Sequence, residues 1–178
     1  MSRGSGGGAM KELSVNIWYV LRLHPKKERI AMNHLADLGF GFYFPLVRRF
    51  KIIHNNKEDV YEPLFNGYLF VKENSNFDES KLQFIRGTSG LLKLGGKLAK
   101  VTDLEIEVLK RVCMQRTPIE LISEVVVGEY IIIKSGTLKG IRGIVNKILG
   151  KQYIYIESGI NGMLIKLKLN QNILDQAQ

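Results

Sequence analysis

The 178 residues, 45% hydrophobic and 24% charged, suit one medium domain or two small ones of ordinary globular composition. No stretch nears the roughly 20 continuous apolar residues of a membrane helix. The Gly/Ser-rich opening SRGSGGGA lacks the apolar run of a secretory signal, and residues 1–12 read as a flexible or expression-derived leader.

A single cysteine, Cys113, rules out an intramolecular disulfide framework and suits a reducing cytoplasm. The net charge of +9 is concentrated in residues 12–116, which carry 17 Lys/Arg against 12 Asp/Glu. Such a balance favours polyanionic partners through counterion release, or is a solubilising surface with no such role.

In chain order, Val15 to Leu23 (VNIWYVLRL) is rich in β-branched and aromatic residues and reads as a strand. Pro25 sits where a helix tolerates it. From Lys26 to Leu38, residues Ile30, Ala31, His34, Leu35 and Leu38 share one helical face, and Gly39 closes the helix. His34, on the apolar side, reads as a core-edge histidine. Phe42–Ile53 and Val60–Lys72 flank the polar segment His54 to Asp59, a pattern that predicts a protruding hairpin.

Gly90 to Leu94 reads as a short strand followed by a turn at Gly95-Gly96. Thr102 and Glu105 form a capping box, with Val101 placed to staple onto Ile106. Ile106, Leu109, Val112 and Cys113 then give a buried helical stripe, which makes Cys113 a packing residue. Thr117-Pro118 breaks the helical pattern, and 116–124 reads as a linker between a domain at 13–115 and another at 125–178. In the second domain, Val125–Lys134, Ile141–Leu149, Tyr153–Ser158 and Met163–Leu169 read as short strands separated by glycine turns, the pattern of a small β-barrel. The VVV and III runs favour strands over helices.

Val127-Gly128-Glu129-Tyr130-Ile131 through Ser135-Gly136-Thr137-Leu138-Lys139-Gly140-Ile141-Arg142-Gly143 resembles a KOW motif, shared with certain ribosomal proteins. Upstream, Trp18-Tyr19-Val20, Lys26-Lys27-Glu28-Arg29, Glu62-Pro63-Leu64-Phe65-Asn66-Gly67-Tyr68-Leu69-Phe70-Val71 and Arg86-Gly87-Thr88-Ser89-Gly90-Leu91-Leu92 resemble the NusG amino-terminal (NGN) domain in order and spacing. The resemblance is to the NusG family and covers about residues 15–175. One departure is Asn66, where the family usually has proline; asparagine also tolerates turn geometry.

The resemblance implies an α+β fold: an NGN-type antiparallel sheet with flanking helices, then a five-stranded KOW β-barrel. It implies a transcription elongation and antitermination factor, a specialised paralogue serving particular long operons. Alternatives are the housekeeping factor of the family and a ribosome-associated RNA-binding protein sharing only the KOW barrel.

Along Tyr68-Leu69-Phe70-Val71, side chains alternate. Leu69 and Val71 can face the helices, with Tyr68 and Phe70 on the other face and Phe65 close by. The resemblance makes these three aromatics the grip on the RNA polymerase clamp helices; otherwise the strand is covered on both faces. It makes Lys26, Lys27, Arg29 and Arg86 contacts to the non-template DNA strand of the transcription bubble; otherwise they are a solvated face. Arg48, Arg49 and Lys51 on the hairpin are a weaker candidate. Leu138 and Ile141 are either a docking surface for a small-subunit ribosomal protein or Rho, or barrel core.

The three histidines and one cysteine show no metal-ligand spacing, and neither a nucleophile elbow nor a phosphate loop occurs. The expectation is a cytoplasmic, monomeric binding protein without cofactor, metal or catalytic residues.

Overall fold

The computed structural model describes residues 16–74, 77–116, 119–122, 128–133, 138–148, 151–157 and 164–168. The expected leader, residues 1–12, lies outside them.

The chain runs β1 (Ile17–Leu23), α1 (Glu28–Asp37), β2 (Phe42–Tyr43), β3 (Leu46–Ile53), β4 (Asn56–Pro63), β5 (Tyr68–Lys72) and α2 (Glu79–Gln83). It continues through β6 (Thr88–Leu91), β7 (Lys93–Leu94), β8 (Lys97–Leu98), β9 (Lys100–Thr102) and α3 (Asp103–Cys113). The last strands are β10 (Ile119–Ile122), β11 (Glu129–Ile132), β12 (Arg142–Ile148), β13 (Lys151–Glu157) and β14 (Leu164–Lys168). The fold is mixed α+β, with antiparallel sheets and few helices.

β1 is the centre of the first sheet. It pairs antiparallel with β5 on one side and with β6 and β9 on the other, and β2 extends the sheet beyond β5. Tyr19, Leu21 and Leu23 point into a core shared with Ala31 and Leu35 of α1 and Leu82 of α2. Trp18 and Val20 point the other way, into a core with Ile106, Leu109 and Val112 of α3. A strand buried on both faces reads as a near-continuous apolar run, which is why IWYVL shows so little polar alternation.

The helix signals act as expected. Gly39 takes a φ of 75° just beyond α1, and Thr102 and Glu105 complete a reciprocal capping box at α3. Along α1, only Ala31 and Leu35 are buried, while Ile30 and Leu38 of the expected stripe are exposed. The helix lies on the sheet along a narrower line than its sequence suggested. Cys113 is half-buried.

Three segments differ from expectation. The hairpin β3–β4 turns at His54-Asn55 alone, both at positive φ (49° and 64°), as a two-residue hairpin turn requires. Lys57, Glu58 and Asp59, expected in the tip, are strand residues, because both faces of a solvated ribbon accept charge. α2, capped by the Asp78 carboxylate accepting from the Ser80 N–H, is too short for periodicity to announce. Ile119–Ile122 falls within the expected linker yet pairs with β14. The apolar residues of Ile-Glu-Leu-Ile resume immediately after Pro118, and Ile119 is buried.

The C-terminal residues form a five-stranded antiparallel sheet in the order β10-β14-β13-β12-β11.

Asp103, at the head of α3, fastens that helix to the central strand. Its carboxylate accepts from the Trp18 Nε1–H at 2.6 Å and from the Asn16 side-chain amide at 2.7 Å, with Lys72 Nζ at 3.6 Å. These donors hold its pKa below the ordinary 3.8, the Trp18 hydrogen bond contributing most. A lowered folded pKa gives stability that is complete above the unfolded value and lost as pH falls through the folded one. Urea unfolding followed by Trp18 fluorescence should therefore show Asp103→Asn less stable than wild type at pH 7. The gap should close below pH 3.8; a gap independent of pH would contradict the ionic contribution.

Candidate functional site

Two exposed features stand out on the N-terminal unit. The first is cationic. The turn after β1 is stitched to two loops: the Leu23 N–H donates to the Gly67 carbonyl at 2.8 Å, and the His24 N–H to the Gly87 carbonyl at 2.9 Å. The Arg86 N–H donates to His34 Nδ1 at 3.0 Å, so the half-buried His34 positions the loop. These bonds bring Arg86 beside the start of α1, where Lys26, Lys27 and Arg29 are exposed with it. Among the described residues, none of the four cations makes an ion pair.

Their position costs stability. The N-terminus of a helix carries partial positive charge, and each cation there is unfavourable by about 0.3–1 kcal/mol. A phosphate at the same place is favoured by both the side chains and the dipole.

The second feature is an aromatic groove of about 520 Å³ between the base of the hairpin and the end of α3. Tyr43, Phe44, Leu46, Tyr61, Met114 and Arg116 line it. Its floor continues inward: Tyr43 lies against Phe70 (ring centroids 6.3 Å apart), and Phe70 meets Phe65 edge-on at 6.0 Å. The Tyr43 hydroxyl neighbours the Cys113 thiol, and burial raises the pKa of both groups. A thiol held neutral in this way is a packing group, not a nucleophile.

The sequence-predicted aromatics are therefore brought together, but Phe65 and Phe70 are 2% and 0% exposed and only Tyr68 is half-buried. α3 covers the face of β5 opposite α1 and α2. The cluster holding Phe65 and Phe70 continues into Ile133, Leu138, Ile141, Ile156 and Ile165 of the C-terminal sheet. Arg111 of α3 crosses to that sheet, donating to the Lys139 carbonyl at 2.6 Å. Beside this bond, a cavity of about 430 Å³ separates Leu104 and Val108 from Tyr130, Ile144 and Tyr155.

Leu138 and Ile141 are each 1% exposed. They flank a tight turn in which the Gly140 N–H reaches the Ile133 carbonyl at 2.6 Å, and their side chains are core. Exposed around them are Tyr130, Ile132, Lys139 and Arg142.

The groove residues Tyr43, Phe44, Tyr61 and Met114 were not singled out from sequence. Their only signal was large apolar residues in a polar hairpin and at a helix end. Among the described residues, no group of three or more His, Cys, Asp or Glu could hold a metal, and no helix is long and apolar enough to cross a membrane.

Together these features define a two-part α+β protein with a cationic edge, an aromatic groove and a contact between its two sheets. A family model described as transcription termination factor nusG matches residues 16–110, more than half of the chain. The chain belongs to the NusG family. Among solved structures it is similar to NusG of Thermotoga maritima, described under domain interaction in that protein. Identity is 18% over 92% of this chain and 96% of that chain, with a TM-score of 0.51, a likeness of fold.

The loop that carries Arg86 depends on Gly87, at φ 82°, where an added Cβ would lie 3.0 Å from both the Lys27 Cβ and the Lys27 carbonyl oxygen. Gly87→Ala should cost about 1–3 kcal/mol in urea unfolding. Gly39→Ala, also at positive φ but with nothing within 4 Å, should cost less. Equal losses would mean that the loop is not crowded against α1.

Proposed function

We propose that this NusG-family protein is a transcription elongation and antitermination factor that binds the RNA polymerase clamp helices and acts as a paralogue specialised for particular long operons. The observation that carries the reading is an aromatic cluster on a NusG-family domain, with Phe70 and Phe65 behind Tyr43 at the open groove and Tyr68 packed on the same cluster. Rigid aromatics give large contact area at low entropic cost and suit the grip on a helix pair. The cationic edge of Lys26, Lys27, Arg29 and Arg86 then faces the non-template strand.

In this reading the protein is a cytoplasmic, monomeric binding factor, not an enzyme. The C-terminal sheet is a KOW barrel that docks a small-subunit ribosomal protein or Rho. Because Leu138 and Ile141 are buried, that docking uses the exposed Tyr130, Ile132 and Lys139 around them.

With Phe65 and Phe70 covered, the contact between the sheets competes with polymerase. The Arg111 bond to Lys139 and the neighbouring cavity describe a contact that is specific yet incompletely packed, and domain interaction is the very subject of the similar Thermotoga structure.

Core RNA polymerase pull-down tests this on the full chain. Tyr68→Ala, chosen because Phe70 is core, should lower capture about tenfold, the scale of a truncated interface aromatic. Arg111→Glu should raise it. Unchanged capture with Tyr68→Ala would move the interface elsewhere, and unchanged capture with Arg111→Glu would sink the competition. Replacing Lys26, Lys27, Arg29 and Arg86 with alanine should flatten the salt dependence of single-stranded DNA binding by about three in log–log slope, at roughly 0.7 per phosphate contact. A slope like that of wild type would leave these cations a solvated face.

A further inference from the structure

The β3–β4 hairpin is a two-stranded ribbon outside the main sheet, and one of its faces is unlike ordinary surface. Cross-strand register puts Leu46, Arg48, Phe50 and Ile52 of β3 on the same face as Lys57, Asp59 and Tyr61 of β4. On that face Phe50 is 51% exposed, Tyr61 68% and Ile52 80%. A monomer rarely leaves such a run of large apolar groups in water without a partner.

The groups between them indicate the partner. Arg48 lies over the Phe50 ring at 5.1 Å and Lys57 at 4.3 Å, and an ion pair with Asp59 fixes Arg48 in place. Phe50 and Tyr61 are diagonal neighbours across the ribbon, about 7–8 Å apart at the backbone. A protein-docking face is depleted of lysine at its centre, whereas here Lys57 sits on the Phe50 ring. Rings interleaved with cations instead match a strand of stackable bases joined by phosphates.

The ribbon ends on the exposed His54, Asn55 and Asn56. Their imidazole and amide groups can both donate to and accept from a hydroxyl, the capacity that a ribose 2′-OH demands.

We propose that this hairpin face binds single-stranded RNA, with bases stacked on Phe50 and Tyr61, Arg48 and Lys57 at the flanking phosphates, and the tip reading the ribose. The site is separate from the cationic edge at α1; it shares Arg48 and Tyr61 with the border of the groove, but Phe50 and Lys57 lie outside that groove and the proposal does not depend on the polymerase reading.

The test is fluorescence anisotropy of labelled twelve-nucleotide oligo(U), oligo(dU) and oligo(dT) with the purified full chain. Oligo(U) should bind, and both DNA oligomers at least about fivefold more weakly, through loss of the 2′-OH contacts. Phe50→Ala/Tyr61→Ala should lose at least about tenfold, each ring contributing a stacked base. Lys57→Ala, which leaves the apolar face intact, should flatten the salt slope by about 0.7. Far-UV circular dichroism establishes that the variants are folded, and oligo(U) should shift the NMR resonances of Phe50 and Tyr61. Polymerase capture by Phe50→Ala alone, which leaves the groove-lining Tyr61 in place, should match wild type while its RNA binding weakens, and this separates the two readings. No binding of oligo(U), equal affinity of oligo(dU), or full affinity in the folded double variant would each overturn the proposal.

Discussion

The burial of β1 on both faces is the constraint from which the rest of the N-terminal unit follows. A strand that sends Tyr19, Leu21 and Leu23 one way and Trp18 and Val20 the other needs cover on both sides. α1 and α2 supply one cover and α3 the other, and each determines what its face can do. Leu69 and Val71 of the neighbouring strand are committed to the α1–α2 core. Phe70 is committed to the α3 side, and its ring reaches solvent only indirectly, through Tyr43 and the groove. Asp103 holds this arrangement by joining the first turn of α3 to the Trp18 indole and the Asn16 amide across the sheet edge. A helix fixed so firmly at its N-terminus has its C-terminal end placed beside the hairpin, and there Met114 and Arg116 complete the groove.

The cationic edge obeys a different logic. Nothing in the core requires Lys26, Lys27 and Arg29 at the opening of α1, and the helix dipole disfavours them there. The scaffold nonetheless invests backbone hydrogen bonds from His24 and Arg86 in bringing a fourth cation to the same place. Stability arguments leave this cluster unexplained, whereas an anion at the helix end accounts for both the charge and the geometry.

Much of this was legible in the sequence where one physical rule governed one residue. Gly39, Thr102 with Glu105, and the alternation Leu69/Phe70/Val71 each answer to a single local requirement, and each stands where that requirement puts it. Legibility failed where two rules competed. Lys57, Glu58 and Asp59 satisfied the composition of a loop and the tolerance of a solvated ribbon equally well, and the turn chemistry of His54-Asn55 decided between them. α3 ends at Cys113, ahead of Pro118, but a proline says nothing about how soon pairing resumes, so β10 was hidden. Burial of Phe65 and Phe70 was not readable from alternation, because alternation names the face and not what lies over it.

That last point bears on how the chain is organised. The aromatics around β5 and the base of the hairpin are divided between a buried end, Phe65 and Phe70 beneath α3 and continuous with the C-terminal core, and an open end at Tyr43, Phe44 and Tyr61. A surface wholly buried by its neighbouring sheet would be core, and a surface wholly open would invite nonspecific association. In the proposed reading, a partner engages the open end before the inner aromatics are uncovered. Among the described residues, the contact between the two sheets combines the shared apolar cluster with a charged hydrogen bond from Arg111 to the Lys139 carbonyl, beside a cavity. α3 therefore carries both features: its C-terminal end walls the open groove, and its length meets the C-terminal sheet.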